Sequence, residues 1–304
     1  MTLRVLDAAA VRAALPMGAI VDALEAAFRS QDPSEGPLRT HLETDRGSLL
    51  MMPAWGAAGV GVKLVTLTPE NPARGAPFIG ALYALFDPLT QQPLAILDGA
   101  ELTARRTAAV SGLATRYLAG SGARRLAVVG AGVQARAHIE AMRAVRPIDD
   151  VVVIARTSAP ALVAELVDEG VSARVGSAQD LREADLICTC TTSVTPVVRG
   201  VDIAPGAHVN AVGAFGVAAR ELDTDAVRAT RVVVETRQAA LAEAGELAIP
   251  LAEGTVDESV VLADLHELVN GAPVRRADDD RSVFLSVGIA FEDLVVASAI
   301  LAAG

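Results

Sequence analysis

Apolar residues recur at helical spacing from Pro16 to Ser30, and the proline suits a first turn, so this segment reads as an amphipathic helix. Shorter apolar runs follow, cut by Gly and Pro: Ser48 to Met52, Val60 to Leu67, Phe78 to Phe86 and Pro93 to Leu97. Joined by pieces such as Thr68-Pro69-Glu70-Asn71-Pro72 and Asp87-Pro88, they predict strands of a mainly antiparallel sheet. Asp98-Gly99 opens a long helical pattern through Leu118, and Ala119-Gly120-Ser121-Gly122 then breaks the chain.

Beyond that break strand and helix alternate: Leu126 to Val129, Gln134 to Val145, Val151 to Ala155, Pro160 to Val167. Continuous Val/Ile strands between helices imply a parallel sheet covered on both faces. Further strands fit Leu186 to Thr189, Val209 to Val212 and Val232 to Glu235, and Gly288 to Ala303 reads as a helix. The expected fold is α/β. A Rossmann-type doubly wound parallel sheet domain occupies 120–287, and an α+β domain is built from 1–119 with the C-terminal helix, about 288–304, returning to it.

At 304 residues the chain is long enough for two such domains. Its most membrane-like stretch, Leu285 to Ala303, carries Glu292 and Asp293 in the middle, which favours a buried helix over a span. The first residues lack a basic segment followed by an apolar core, so no secretion signal is expected and the cytoplasm is the default. A net charge of −11, with arginines dispersed among acidic residues, gives no footprint for a phosphate backbone, so nucleic acid is not an expected partner. Cys188 and Cys190 alternate along an expected strand, a poor geometry for a disulfide, and read as reduced structural residues. No metal site is expected.

One feature of composition is sharper. Lys and Arg total 26, yet Lys63 is the single lysine. Lysine differs from arginine in being a compact ammonium whose pKa falls readily on burial, so it trades protons near neutrality. Lying in the apolar run Val60-Gly61-Val62-Lys63-Leu64-Val65, it needs a partner or a chemical task. Arg39 and Arg106 are the other cations that stand out. In Leu102-Thr103-Ala104-Arg105-Arg106-Thr107, Arg105 and Arg106 point to different helix faces, so one is expected to be solvated while the other meets a carboxylate.

The strand Leu126 to Val129 runs directly into Gly130-Ala131-Gly132-Val133-Gln134-Ala135. This is the G-x-G-x-x-A form of the dinucleotide fingerprint: a glycine for the turn, a second where the backbone approaches the pyrophosphate, and a helix N-terminus facing the phosphates. At the end of the next strand, where an NAD enzyme usually places a carboxylate for the ribose 2′-hydroxyl, stands Arg156 followed by Thr157 and Ser158. That arrangement suits a 2′-phosphate, so NADP(H) is preferred to NAD(H).

At these residues the chain resembles the ornithine cyclodeaminase and mu-crystallin family. The segments that carry the resemblance are Met51-Met52-Pro53-Ala54, Gly61-Val62-Lys63, Asp98-Gly99 with Leu102-Thr103 and Arg106-Thr107-Ala108-Ala109, the fingerprint itself, Asn210-Ala211-Val212-Gly213, Glu221-Leu222, and Ser286-Val287-Gly288-Ile289-Ala290 with Glu292-Asp293-Leu294. The resemblance implies a homodimer whose first domain binds substrate and makes the dimer contact, with nicotinamide held between the domains. It implies that Arg39 and Arg106 grip a substrate carboxylate and that Lys63 lies beside the reacting carbon. Cofactor contacts are implied for Thr107, Gly130, Gly132, Val133, Gln134, Arg156, Thr157, Ser158, Val212, Gly213, Ser286 and Gly288.

There is one departure. Where cyclodeaminases carry an aspartate that handles protons during loss of ammonia, this chain reads Gly213-Ala214-Phe215-Gly216. Phe215 is neither acid nor base. A similar Gly-Ala-Phe occurs in members resembling Δ1-pyrroline-2-carboxylate and Δ1-piperideine-2-carboxylate reductases, which deliver hydride to a C=N carbon. The expectation is therefore an NAD(P)H-dependent imino-acid reductase making proline or pipecolate. Its rivals are ornithine cyclodeaminase, an alanine-type amino-acid dehydrogenase and a non-catalytic mu-crystallin-like binding protein.

Overall fold

A computed structural model describes residues 3–214, 216–275 and 277–304. By packing, the chain divides into two units, Met1–Thr107 with Gly288–Gly304, and Ala108–Val287.

The first unit opens with β1 (Arg4–Leu6), α1 (Ala8–Ala14) and α2 (Met17–Ser30). Five strands follow: β2 (Thr40–Thr44), β3 (Gly47–Gly56), β4 (Gly59–Leu67), β5 (Ile79–Phe86) and β6 (Pro93–Asp98). They form a sheet of order β1-β6-β5-β4-β3-β2, antiparallel except where β1 joins β6. Alternation sorts the side chains by face. Leu50, Met52 and Ala54 of β3, Lys63 and Val65 of β4, Tyr83 and Leu85 of β5, and Ala95 and Leu97 of β6 are buried. On the opposite face Met51, Leu64 and Leu82 lie side by side in register, as do Pro53, Val62 and Ala84. That face is apolar too, and Trp55 on it is 58% exposed.

The next helix, α3 (Gly99–Leu118), starts where sequence places it, because the Asp98 carboxylate accepts the Glu101 N–H at 2.8 Å. The cut between the packed units falls inside α3, after Thr107.

The second unit continues through β7 (Arg125–Val129), α4 (Val133–Val145), β8 (Asp150–Ile154), α5 (Ala159–Asp168), β9 (Ala173–Val175), β10 (Leu186–Thr189) and β11 (His208–Ala211). It is completed by α6 (Thr224–Arg228), β12 (Arg231–Val234), α7 (Arg237–Glu243), α8 (Gly245–Ala252), β13 (Val261–Asp264), α9 (Leu265–Val269) and β14 (Ser282–Leu285). The eight strands are parallel, in the order β13-β12-β14-β11-β10-β7-β8-β9. The chain leaves β7 toward β8 and β9, then returns to the other side of β7 as β10. This reversal is the topological switch at which open α/β sheets hold ligands, beyond the carboxyl ends of the strands.

One face of this sheet, including the row Ala127, Ile187, Val209, Val283 and Val232, packs on Ala226, Val227, Ala240 and Leu247 of α6 to α8. The other face carries a buried polar network. His208 Nδ1 lies 2.9 Å from Ser282 Oγ and its Nε2 3.2 Å from Asn210 Oδ1, while Asn210 donates to Thr115 Oγ1 at 3.0 Å. His138 Nε2 lies 3.0 Å from Ser111 Oγ. Burial holds both imidazoles neutral, pulling His208 down to about 3 and His138 down to about 4.

The chain ends in α10 (Ala290–Ala303), which packs on α2 and on strands β3 to β5 of the first unit. Phe291 meets Phe28 edge to face, with ring centroids 5.3 Å apart. This is the segment in which sequence expects a buried helix, and Glu292 and Asp293 are fully buried in it. Among the described residues, no helix is long and apolar enough to cross a membrane.

Candidate functional site

In the first unit four ionic side chains, all buried, cluster together. Lys63 enters the cluster from the middle of β4, where strand alternation turns it to the α10 side, and it is 1% exposed. Its Nζ donates to Asp293 Oδ1 at 3.0 Å and lies 2.8 Å from Oδ2. Arg106, from the second turn of α3, donates through Nε to Asp293 Oδ1 at 3.1 Å and through Nη1 to Glu292 Oε2 at 2.6 Å. Burial pulls the Lys63 ammonium down to about 8; the Arg106 charge acts in the same direction, and Asp293 opposes both. A lysine so held trades its proton close to neutrality, which an ordinary surface lysine does not.

Beside Lys63 in register stands Tyr83, its ring over Gly61. Its hydroxyl is buried and meets no hydrogen-bond partner among the described residues. Burial, reinforced by Asp293, pushes the phenol up, so it stays protonated. Arg39 is half-buried and donates through Nη2 to the Gly288 carbonyl at 2.6 Å. Gly288 has φ of +76°, and a Cβ there would lie 2.5 Å from Arg106 Nη1, so both its backbone and the adjacent guanidinium require glycine. Sequence expects Gly288 among the cofactor contacts; the structure sets it against the two arginines.

One expectation for this helix is corrected. Arg105 is not the solvated partner of Arg106: it is 4% exposed and donates to the Leu15 carbonyl at 2.7 Å. The α1–α2 junction covers its face of α3, so both arginines are buried.

In the second unit the fingerprint sits between β7 and α4. Gly130 has φ of +116°, donates its N–H to the Ile154 carbonyl at 2.8 Å, and a Cβ on it would fall 2.4 Å from the Cys190 carbonyl oxygen. Nothing stands within 4 Å of where a Cβ of Gly132 would be, and no side chain of a described residue caps the first-turn N–H groups of α4. Gln134 Oε1 there is buried without a partner among the described residues. Arg156, just past β8, is exposed and makes no ion pair or hydrogen bond with a described residue; Thr157 and Ser158 are exposed beside it. Helix amides without a side-chain cap and an uncommitted arginine at the next strand end fit a phosphate-bearing dinucleotide.

Two buried carboxylates organise the rest of this strand-end rim. Glu221 accepts from Thr189 Oγ1 at 2.6 Å and, at 2.7 Å each, from Thr191 N, Thr191 Oγ1 and Gly213 N. Glu235 accepts from Ser286 Oγ at 2.6 Å and Val287 N at 2.9 Å. Gly213 and Ser286, both expected cofactor contacts, are thereby fixed, while Val212 is held by the Thr189 carbonyl at 3.2 Å. Thr107 is buried on α3. Cys188 and Cys190 are free, and burial raises both thiols, Cys188 up to about 12, which leaves them inert. Phe215 lies outside the described residues.

A sequence profile of the ornithine cyclodeaminase/mu-crystallin family matches residues 2–302. The chain belongs to that family. A Δ1-pyrroline-2-carboxylate reductase of Bacillus cereus is 38% identical over 272 residues, covering 86% of this chain and 83% of that protein. Among solved structures, the Thermococcus litoralis Δ1-pyrroline-2-carboxylate reductase in complex with NADH and L-proline superposes with a TM-score of 0.93 at 33% identity, over 99% of this chain and 97% of that one. An archaeal alanine dehydrogenase dimer with bound NAD gives 0.93 at 31% identity, over 100% and 96%.

Composition singles out Lys63, and the resemblance adds roles for Arg39 and Arg106, but neither says which side chains neutralise these cations. Glu292 and Asp293 were visible as two adjacent carboxylates in an otherwise apolar helix, a placement that burial makes costly without cationic partners. Tyr83 and Glu235 carried no such signal.

Proposed function

We propose that this protein is an NAD(P)H-dependent reductase of cyclic imino acids, converting Δ1-pyrroline-2-carboxylate or Δ1-piperideine-2-carboxylate to proline or pipecolate. The observation that carries this reading is Lys63, a buried ammonium drawn down to about 8 and set between a carboxylate and two arginines, in a chain 38% and 33% identical to two Δ1-pyrroline-2-carboxylate reductases. In this scheme Arg39 and Arg106 orient the substrate carboxylate and Lys63 gives a proton to the imine nitrogen. A nicotinamide cofactor supplies the hydride, held by the second unit through Gly130 to Gln134, Val212, Gly213 and Ser286.

NADPH is the preferred form in this proposal, supported by the uncommitted Arg156 with Thr157 and Ser158 where a 2′-phosphate would sit. The first unit serves substrate binding and dimerisation. The apolar outer face of its sheet, with Met51, Leu64, Leu82 and Trp55, supports a homodimer, as does the dimeric alanine dehydrogenase of the same fold.

The likeness to that enzyme also favours a second reading, reductive amination of a 2-oxo acid. Following NADPH absorbance with cyclic imino acids, with pyruvate plus ammonia, and with ornithine while ammonia is assayed, separates the three. Rapid turnover of the cyclic imines alone is expected. Ammonia release from ornithine at a comparable rate would replace this function with cyclodeamination.

A further inference from the structure

Asp293 is the shared member of the buried cluster. Its Oδ1 accepts from both Lys63 Nζ and Arg106 Nε, and its carboxylate is the one hydrogen-bond acceptor that Nζ meets among the described residues. We infer that Asp293 is the positioning residue for proton delivery: it fixes Lys63 Nζ in place and keeps it charged until the imine nitrogen takes its proton. The inference rests on the reading of Lys63 as proton donor.

Lysine has a long, flexible stem, and a buried ammonium with no counter-ion gives up its proton. The groups that face Nζ show how few could prevent this. Tyr83 from β5 is neutral, while Arg39 and Arg106 add positive charge. Met52, the cross-strand neighbour of Lys63 on β3, is apolar and buried. Glu292 is engaged by Arg106 Nη1. That leaves Asp293 to hold Lys63 protonated against burial and two arginines. Because Asp293 takes up one side of Nζ, the other ammonium protons remain for a substrate. In the reduction the ring carbon gains hydride, the C=N electron pair moves to nitrogen, and nitrogen takes the proton from Nζ. Lys63 is left as a neutral amine, to be recharged from water.

Because Lys63 is the single lysine of the sequence, labelling with 13Cε,15Nζ-lysine yields one side-chain signal to titrate. That titration, run on the cofactor-bound protein beside the pH profile of kcat/KM on Δ1-pyrroline-2-carboxylate, tests the inference. In Asp293→Asn the Lys63 midpoint and the basic limb of the profile are expected to fall together by about one to two pH units. Asp293→Glu keeps the charge and restores the midpoint to about the native value, with kcat still roughly tenfold low because Nζ is displaced. Cofactor Kd should be unchanged in both. A folded Asn variant with native midpoint and profile overturns the inference; if that variant does not fold, native kcat in Asp293→Glu overturns it. Lys63→Arg separates the two levels: near-normal turnover there defeats the reading of Lys63 itself, whereas lost turnover with an unmoved Asn titration defeats only the role of Asp293.

Discussion

The Gly213 N–H donates to Oε2 of Glu221 at 2.7 Å, and the other oxygen of that carboxylate takes both the N–H and the hydroxyl of Thr191. One buried anion thus ties the chain leaving β11 to the chain leaving β10, next to the switch point of the sheet. Glu221→Gln keeps the shape but turns an NH2 toward groups that are themselves donors. Each hydrogen bond to a buried charge is worth about 1.5–3 kcal/mol, so a clear fall in melting temperature is expected, with cofactor KM raised more than kcat is lowered. Thermal melting and NADPH titration check it, and an unchanged cofactor KM would make Glu221 purely structural.

Lys63→Arg preserves the positive charge but removes a proton donor that works near neutral pH. Turnover is expected to fall roughly a hundredfold or more, with cofactor affinity nearly intact. Steady-state kinetics beside a binding titration decides between this and a lysine kept by accident.

Arg156→Ala is expected to weaken NADPH binding by about 1.5–3 kcal/mol and to leave NADH binding nearly unchanged, because only the former carries a 2′-phosphate to pair with. Dissociation constants of the native protein for both cofactors come first: tighter NADH binding would already reassign Arg156.

A charge placed on the outer face of the six-stranded sheet tests the dimer. Leu82 is 41% exposed and neighbours Leu64 in register, so Leu82→Glu leaves the unit's own core untouched while putting an anion into the face expected to be covered. Sedimentation should show a native dimer and a variant monomer; a native monomer removes the dimer from the proposal.

Acid should destabilise the second unit well above the range where surface carboxylates protonate. His208 and His138 titrate in the fold at about 3 and about 4, against 6.5 when unfolded. Each folded value is depressed, so the stability they contribute is complete above 6.5 and is lost as pH falls through the window toward the folded values. Melting temperature followed from pH 7.5 to 5 should decline over this range, and a flat profile would contradict the buried neutral imidazoles.

Regular elements with strong periodicity were legible in the chain. The strand from Val60 and the helix from Asp98-Gly99 stand where their patterns put them, because alternation and an N-cap are local causes. Elements without a local cause were not. Thr40–Thr44 is exposed along its whole length and has no apolar face to read, Arg4–Leu6 is a strand only through pairing with β6, and Gly245–Ala252 is helical despite Pro250.

The candidate site divides in the same way. By itself the sequence determined the dinucleotide turn, since Gly-x-Gly between a strand and a helix specifies its own backbone, and it marked Lys63 as the lysine that composition could not explain. Only the tertiary structure decided what surrounds that lysine. Asp293 lies 230 positions from Lys63 and 187 from Arg106, and ion pairs over such separations depend on the path of the whole chain. Local patterns record which face of an element leaves water; they do not record which charges meet once it has left.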